Sequence, residues 1–394
     1  MKKLLFVIPT MRMGGAEKAL VSLLKSLDPG QVEIDLFLFE QGGILQEQIP
    51  SWVRILPEDL VTRAMTLEFR LYWKDLLRQW KLGAASARLW MKMQPSIRKR
   101  LHLKAKANWC IAKRYIRHLE PEYDVAIGFL EGTADFYVIE KVTAKKKIGW
   151  IHSDFTGRRL LESERFLYKK YDYLATISEI CRQAFISVLP EVGARISVIQ
   201  NITCANDVRA ASAAPMDEVW DRSIPHLLTV GRLEHQKGID IAAKVSLILN
   251  ARGLRHKWHV FGAGSMESQI ETFIHENHLE NTFSLDGQKK NPYPFMRRAD
   301  IIVQPSRLEG KSMVLDEAKI LGKAIVTTNY PSVADQIIDG ETGVVTEMTP
   351  ESVADGIERV LTDAVLRKQL EINCISSIND SEQALQAFYR LIAQ

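Results

Sequence analysis

The chain is poor in cysteine. Cys110, Cys181, Cys204 and Cys374 are its four, far apart and without a CxxC pair. That excludes a disulfide framework and a structural zinc site, and it suits a reducing compartment. No stretch approaches the roughly 18–20 apolar residues of a membrane span. The apolar run at 4–8 is too short for the core of a secretion signal, and Pro9 and Arg12 follow at once. The expectation is a cytoplasmic protein. No GxxxxGK[ST] occurs, so a P-loop is absent. Gly262-Ala263-Gly264 is followed by Glu267 where a dinucleotide fingerprint needs glycine, which disfavours a nicotinamide enzyme. There is no HExxH and no Cys/His cluster, so nothing demands a metal. Low-complexity tracts and short repeats are also missing. With 46% hydrophobic and 25% charged residues, disordered and collagen-like chains are excluded.

Acidic residues are scarce in one place. Between 61 and 118 only Glu68 and Asp75 oppose fifteen Lys and Arg, so a net charge of +4 hides an intensely basic stretch. Trp73, Leu76, Leu77 and Trp80 fall on one helical face of it.

The 394 residues suggest two domains. A short apolar strand at 3–9 leads into Gly14-Gly15. Ala16, Ala19, Leu20, Leu23, Leu24 and Leu27 then recur at helical spacing. Further strands are expected at 32–39, 124–129, 147–151, 173–177 and 196–199. Residues 206–225 are rich in Ala, Ser and Asp with no sustained period, and read as a linker. Beyond it strands at 226–230, 258–261, 282–285, 301–304, 324–328 and 344–346 alternate with helices at about 237–251, 266–278, 312–321, 332–338 and 350–363. Such alternation implies parallel sheets covered on both faces. The expected fold class is α/β, with two Rossmann-like parallel-sheet domains facing each other across a cleft. The first spans 1–205 with a basic helical insertion at about 61–118, and the second spans 226–375. A C-terminal helix at 376–394 is expected to pack back on the first.

Four groups of residues carry chemistry. Glu309, Gly310, Lys311, Ser312, Met313, Val314 and Glu317 run from the end of a strand into a helix. Ser312 is placed as its N-cap, leaving the Met313 and Val314 amides open to an anion such as phosphate. Carboxylates at 309 and 317 suit sugar hydroxyls, since each accepts more than one O–H bond. Gly231-Arg232 through Lys237-Gly238 sits at another strand end. Arg232 forks onto a phosphate, and Lys237 adds a mobile point charge. Gly14 and Gly15 permit close backbone approach. His152 follows a strand and suits a hydrogen bond to a sugar hydroxyl or a phosphate. Read singly, each group also fits a solvated loop or a satisfied polar residue.

Together these residues resemble the retaining nucleotide-sugar glycosyltransferases of the large bacterial family 4, of GT-B architecture. The carriers are Gly14-Gly15, His152, Gly231-Arg232 with Lys237, and the E-x7-E pair Glu309/Glu317. The likeness is greatest from 226 to 346 and least from 60 to 120. The resemblance implies that Arg232 and Lys237 hold the donor diphosphate and that the loop from Gly310 to Val314 wraps sugar and phosphates. Glu309 would contact the sugar and Glu317 the ribose. Gly15 would approach the phosphate, Gly287-Gln288 would lie near the base, and Gly262 would line the donor site. Lys311 departs from the common pattern and resembles an EGKxxxLDEA subgroup of capsule and exopolysaccharide enzymes.

The expected reaction moves a sugar, from a UDP-sugar, to a hydroxyl of a cell-surface polysaccharide or lipid-linked saccharide precursor. Glu309, His152, Arg232 and Lys237 are the catalytic candidates. No cofactor and no metal are expected, and no second carboxylate is placed as a nucleophile. The basic stretch, with Trp73, Trp80, Trp90 and Trp109 interleaved, is expected to meet an anionic membrane rather than nucleic acid, which would put the enzyme peripherally on the inner face of the plasma membrane. A catalytically silent partner-binding protein of the same architecture and a nucleotide-sugar epimerase are the competing readings.

Overall fold

The apolar run KKLLFVI forms strand β1, Lys2–Ile8, and its last five side chains are buried. Burial of consecutive side chains on both faces is what a central strand of a parallel sheet requires. In the computed structural model, residues 1–12, 14–66, 109–110, 112–156, 160–378 and 381–394 are described. They form two units, Met1–Gln200 with Gln383–Gln394, and Asn201–Glu382.

In the first unit β1 is joined by β2 (Val32–Leu38), β3 (Arg54–Ile55), β4 (Leu119–Gly128), β5 (Val142–Ile151), β6 (Tyr173–Thr176) and β7 (Ile196–Val198). All are parallel, in the order β3-β2-β1-β4-β5-β6-β7. Leu4 sits opposite Ile34 on one side and Val125 on the other. The order reverses between β1 and β4, which opens a crevice at the carboxyl ends of those two strands. Asp35 is buried within the sheet and accepts from Arg54 Nε at 2.7 Å, Arg54 Nη2 at 2.6 Å and the Tyr123 hydroxyl at 2.7 Å. A carboxylate removed from water is tolerated because three donors reach it. The segment Gln383–Gln394 belongs to this unit. Phe388 stacks on Phe6, and Lys2 Nζ donates to the Ile392 carbonyl at 2.6 Å. A cation at a helix C-terminus offsets its exposed carbonyls.

Of the basic stretch 61–118, residues 67–108 and 111 lie outside the described residues. Trp109, grouped above with the membrane-facing tryptophans, is fully buried instead. It stacks on Phe136 and meets the edge of Tyr137, so its ring is core. Among the described residues no helix is long and apolar enough to cross a membrane.

The second unit holds β8 (His226–Val230), β9 (Lys257–Phe261), β10 (Phe283–Leu285), β11 (Ile301–Gln304), β12 (Ala324–Thr328) and β13 (Val344–Thr346). They are parallel, in the order β10-β9-β8-β11-β12-β13, and this order reverses between β8 and β11. The helix Pro350–Thr362 shows why its start was legible. Thr349 caps it by accepting from the Ser352 amide, and Pro350 occupies the first turn, where a missing N–H costs nothing.

Two stretches differ from expectation. Residues 206–225 are not all linker. A helix runs over Ala205–Ser212 with Val208 and Ser212 buried, and the Ala211 carbonyl accepts from Asn291 Nδ2 at 2.9 Å. Trp220 is buried against His259 and His226, with ring centroids 4.1 and 4.6 Å away. The helix expected at 332–338 is reduced to a 3-10 turn, Val333–Asp335, because Gln336 is drawn into side-chain bonds with the neighbouring loop.

Candidate functional site

The reversal between β8 and β11 brings two loops together. After β8 the chain runs through Gly231, whose amide donates to the Phe261 carbonyl at 2.9 Å. It then makes a 3-10 turn at His235–Lys237, closed by Gly238 with φ of 67°. A Cβ on Gly238 would lie 1.8 Å from the Pro305 carbonyl oxygen, so only glycine fits between the loops. After β11 the chain runs Pro305-Ser306-Arg307-Leu308-Glu309. The Arg307 guanidinium grips Asp240 with two bonds of 2.7 Å. The Arg307 amide donates to the Gln236 carbonyl at 2.8 Å, and Gln236 Nε2 donates to the Leu308 carbonyl at 2.7 Å. The two loops are therefore stitched through both backbone and side chains.

This stitching places Lys237 Nζ 2.6 Å from Glu309 Oε1. The side chains are 19% and 8% exposed. Gln304 Nε2 and Ser306 Oγ also donate to Glu309 Oε1, each at 2.7 Å. Three donors thus converge on one carboxylate oxygen, and among the described residues no donor reaches the other. Ser332 Oγ fixes the Glu309 backbone by donating to its carbonyl at 2.7 Å. Arg232 is exposed at the end of β8, and its guanidinium makes no hydrogen bond or ion pair among the described residues. One cation is engaged and the other is open.

Ser312 stands at the N-cap position of the helix Met313–Ile320, as expected, but its side chain does not cap that helix. Its hydroxyl donates to Gln304 Oε1 at 2.7 Å instead. The helix N-terminus, at Met313 and Val314, is left without a side-chain cap, and a helix N-terminus favours negative charge. Lys311 is 7% exposed and pairs with Asp316 at 3.2 Å, so the subgroup lysine is spent on the loop itself. Gly310 precedes it in the same loop. Glu317 is buried on the helix, and its Oε1 accepts from the Tyr293 hydroxyl at 2.9 Å. Burial, and then the Glu317 charge, push the Tyr293 phenol well up, so it stays protonated and donating. Gly262 has a packing task, since a Cβ there would lie 1.8 Å from the Gly231 carbonyl oxygen. Its amide donates to the Gly287 carbonyl at 2.9 Å, beside exposed Gln288. Gly231, Arg232, Lys237, Gly262, Gln288, Glu309 and the 310–317 stretch thus gather at the carboxyl ends of one sheet.

Gly14, Gly15 and His152 belong to the first unit. Gly14 is the extended N-cap of the helix Gly15–Ser26, and the Cβ direction of Gly15 meets open space. His152 follows β5. Its amide and that of Ser153 donate to Glu131 Oε1 at 2.8 and 2.7 Å. The imidazole lies against Phe129 and Trp150. Its Nε2 is buried and has no hydrogen-bond partner among the described residues. Burial lowers the His152 pKa to about 4, against the opposing pull of Glu131. The ring is therefore neutral near pH 7. Among the described residues no group of three or more His, Cys, Asp or Glu is placed to hold a metal ion.

Sequence reasoning missed Gln304, Ser306, Arg307, Asp240, Tyr293, Gln336 and Glu131. Gln304 and Ser306 flank Pro305 beside Glu309, and a polar pair at the end of an apolar strand was a readable hint. Tyr293 and Gln336 lie 24 and 24 positions from their partners Glu317 and Ser312, with no local signal.

Residues 217–375 match the family described as Glycosyl transferases group 1. The capsular polysaccharide biosynthesis glycosyltransferase CapM of Staphylococcus aureus is 28% identical over 146 residues, covering 36% of this chain and 38% of that protein. The N-acetylgalactosamine-N,N'-diacetylbacillosaminyl-diphospho-undecaprenol 4-alpha-N-acetylgalactosaminyltransferase of Campylobacter jejuni is 31% identical over 144 residues, covering 36% and 39%. The chain spans about two fifths of the length of the curated relatives it matches. Among solved structures, Anabaena Alr3699/HepE in complex with UDP-glucose superposes with a TM-score of 0.70 at 16% identity, covering all of both chains. That likeness is one of fold.

Proposed function

We propose, from the match of residues 217–375 to the glycosyl transferases group 1 family, that the chain is a glycosyltransferase of cell-surface polysaccharide assembly. Its donor is a UDP-sugar, its acceptor is a hydroxyl of a polysaccharide or lipid-linked saccharide precursor, and it retains the donor's anomeric configuration. The observation that carries this reading is the Lys237–Glu309 pair at the strand-order reversal of the second unit, beside Arg232, whose guanidinium makes no hydrogen bond or ion pair among the described residues, and a helix N-terminus without a side-chain cap.

The chemistry follows from those groups. The bond between the anomeric carbon and the leaving phosphate oxygen breaks, and negative charge grows on the diphosphate. Arg232, Lys237 and the helix amides at Met313 and Val314 stabilise that charge. The acceptor oxygen bonds to the same carbon on the face the diphosphate leaves, and its proton passes to the departing phosphate oxygen. Glu309 accepts from a sugar hydroxyl through its second carboxylate oxygen. Glu317, held by Tyr293, is assigned the ribose, and the Gly287-Gln288 loop the base. In the first unit, the neutral His152 offers its buried Nε2 to a sugar hydroxyl, and Gly14-Gly15 admit a phosphate to the backbone. None of these steps calls on a metal. The basic residues between 61 and 118 are assigned an anionic membrane surface on the cytoplasmic side.

The test is a panel of UDP-, GDP- and ADP-sugars, first by thermal shift and then with lipid-linked saccharide acceptors. Binding to the folded state raises its apparent stability, so the UDP-sugar should stand out. Proton NMR of the product then reads its anomeric configuration, and a chelator arm reads metal dependence. Conversion of the donor without an acceptor would replace this reading with an epimerase. Failure of every nucleotide sugar to shift the melting temperature would remove it. Salt-sensitive binding to vesicles containing anionic lipid checks the membrane assignment.

A further inference from the structure

Gln336 follows the turn Val333–Asp335 and is buried, yet no part of the proposed chemistry uses it. Every polar group of its side chain is spent on Ser312 and on the first turn of the helix that follows it. Its Oε1 accepts from the Ser312 amide at 2.7 Å. Its Nε2 donates to the Ser312 carbonyl at 2.8 Å and to Asp316 Oδ1 at 3.0 Å. Its backbone carbonyl accepts from the Lys319 ammonium. The side chain pairs with both the backbone N–H and the backbone C=O of one residue, as a neighbouring strand would. Only a carboxamide offers one acceptor and two donors in that layout. Turning it over would set an NH2 against an N–H and an oxygen against two oxygens, so its orientation is determined.

The consequence reaches the carboxylate. With its backbone held on both sides, Ser312 sends its hydroxyl to Gln304 Oε1 at 2.7 Å rather than to the helix amides. That bond orients the Gln304 carboxamide, whose Nε2 then donates to Glu309 Oε1 at 2.7 Å. The chain of contacts runs Gln336, Ser312, Gln304, Glu309, Lys237. We propose that Gln336 is a positioning residue for donor binding. It orients the Glu309 carboxylate through Ser312 and Gln304, and it keeps the N-terminus of Met313–Ile320 open by holding Ser312 away from the cap. This rests on the reading of the second unit as the nucleotide-sugar site.

Two variants test it, Gln336→Leu and Gln336→Glu. Gln336→Leu removes every side-chain bond at similar size. Gln336→Glu keeps the acceptor but sets a carboxylate against the Ser312 carbonyl and Asp316 until it is protonated. Hydrogen exchange of the Ser312 amide should quicken at least tenfold in Gln336→Leu, with the β8 and β9 amides unchanged. The dissociation constant of UDP should rise at least tenfold in both variants. In Gln336→Glu it should recover on going from pH 8 to pH 5.5, which loss of folded protein alone would not produce. Unchanged Ser312 exchange, or wild-type UDP affinity in either folded variant, overturns the proposal. If the unaltered protein binds no UDP, the nucleotide-sugar reading falls instead, and with it the role in donor binding. Ser312 exchange still decides whether Gln336 holds the loop. Should Gln336→Leu not fold, Gln336→Glu across pH carries both readouts.

Discussion

Lys237 and Arg232 are two cations of one loop with opposite circumstances, and replacing each with alanine separates them. Lys237 Nζ is 2.6 Å from a buried carboxylate oxygen. At an effective dielectric constant of 20 the bare attraction at that distance is about 6 kcal/mol, most of which is cancelled by desolvation. Breaking a buried pair from one side costs about 3–5 kcal/mol. Here Glu309 keeps the Gln304 and Ser306 donors, and the lysine is partly exposed, so the expected loss for Lys237→Ala is about 2 kcal/mol. Arg232 is exposed and unpaired among the described residues, so Arg232→Ala should change stability by less than about 0.5 kcal/mol. Urea unfolding at constant slope reads both values. A double-mutant cycle with Lys237→Met and Glu309→Gln isolates the contact, with an expected coupling of about 1.5 kcal/mol. A coupling below about 0.5 kcal/mol would refute the pair as a fixture of the folded protein. UDP affinity completes the comparison, because Arg232→Ala should weaken it at least tenfold while leaving the unfolding midpoint in place.

Three further outcomes follow from the geometry. His152 is held near pKa 4 by burial, against 6.5 when exposed, so the unfolded chain takes up that proton first as pH falls. Its contribution is full above pH 6.5, declines between 6.5 and 4 by up to about 3 kcal/mol, and is level below; the difference between wild type and His152→Gln in urea midpoint across pH measures it, and a flat difference would sink the assignment. Gly238→Ala places a Cβ 1.8 Å from the Pro305 carbonyl oxygen at a φ of 67°, and should cost about 3 kcal/mol and detach the two loops, read as faster amide exchange at Arg307. Trp109→Ala should destabilise the first unit by about 3–5 kcal/mol, because the ring is fully buried; little change in unfolding would return Trp109 to the surface.

Much of the sheet architecture was open to reading because buried parallel strands are continuous apolar runs, such as LLFVI and IIV, with Pro9 and Pro305 soon after them. The helix Ala205–Ser212 escaped for the opposite reason. It buries only Val208 and Ser212, too sparse a stripe for a period of 3.6 to show. The motif residues of the second unit were singled out, yet their connections were not. Lys237 and Glu309 stand 72 positions apart, and the resemblance tied both to a donor without tying them to each other. Ser312 was placed correctly as an N-cap position and its hydroxyl was not, because the competing acceptor, Gln304, arrives from the preceding strand. Gln336 is 24 positions from Ser312, and an amide in a polar turn carries no local mark of such a task.

The engaged state of Lys237 bears on selectivity. On the donor reading proposed above, an arriving anion would share the Lys237 ammonium with Glu309 or draw it away, weakening the hold of the carboxylate's one charged donor. A bare phosphate offers nothing in return. A phosphate that carries a polyol brings hydroxyl groups that refill the vacancy as it is made. On that reading the ion pair would favour a ligand that brings phosphate and hydroxyl groups together over a simple anion.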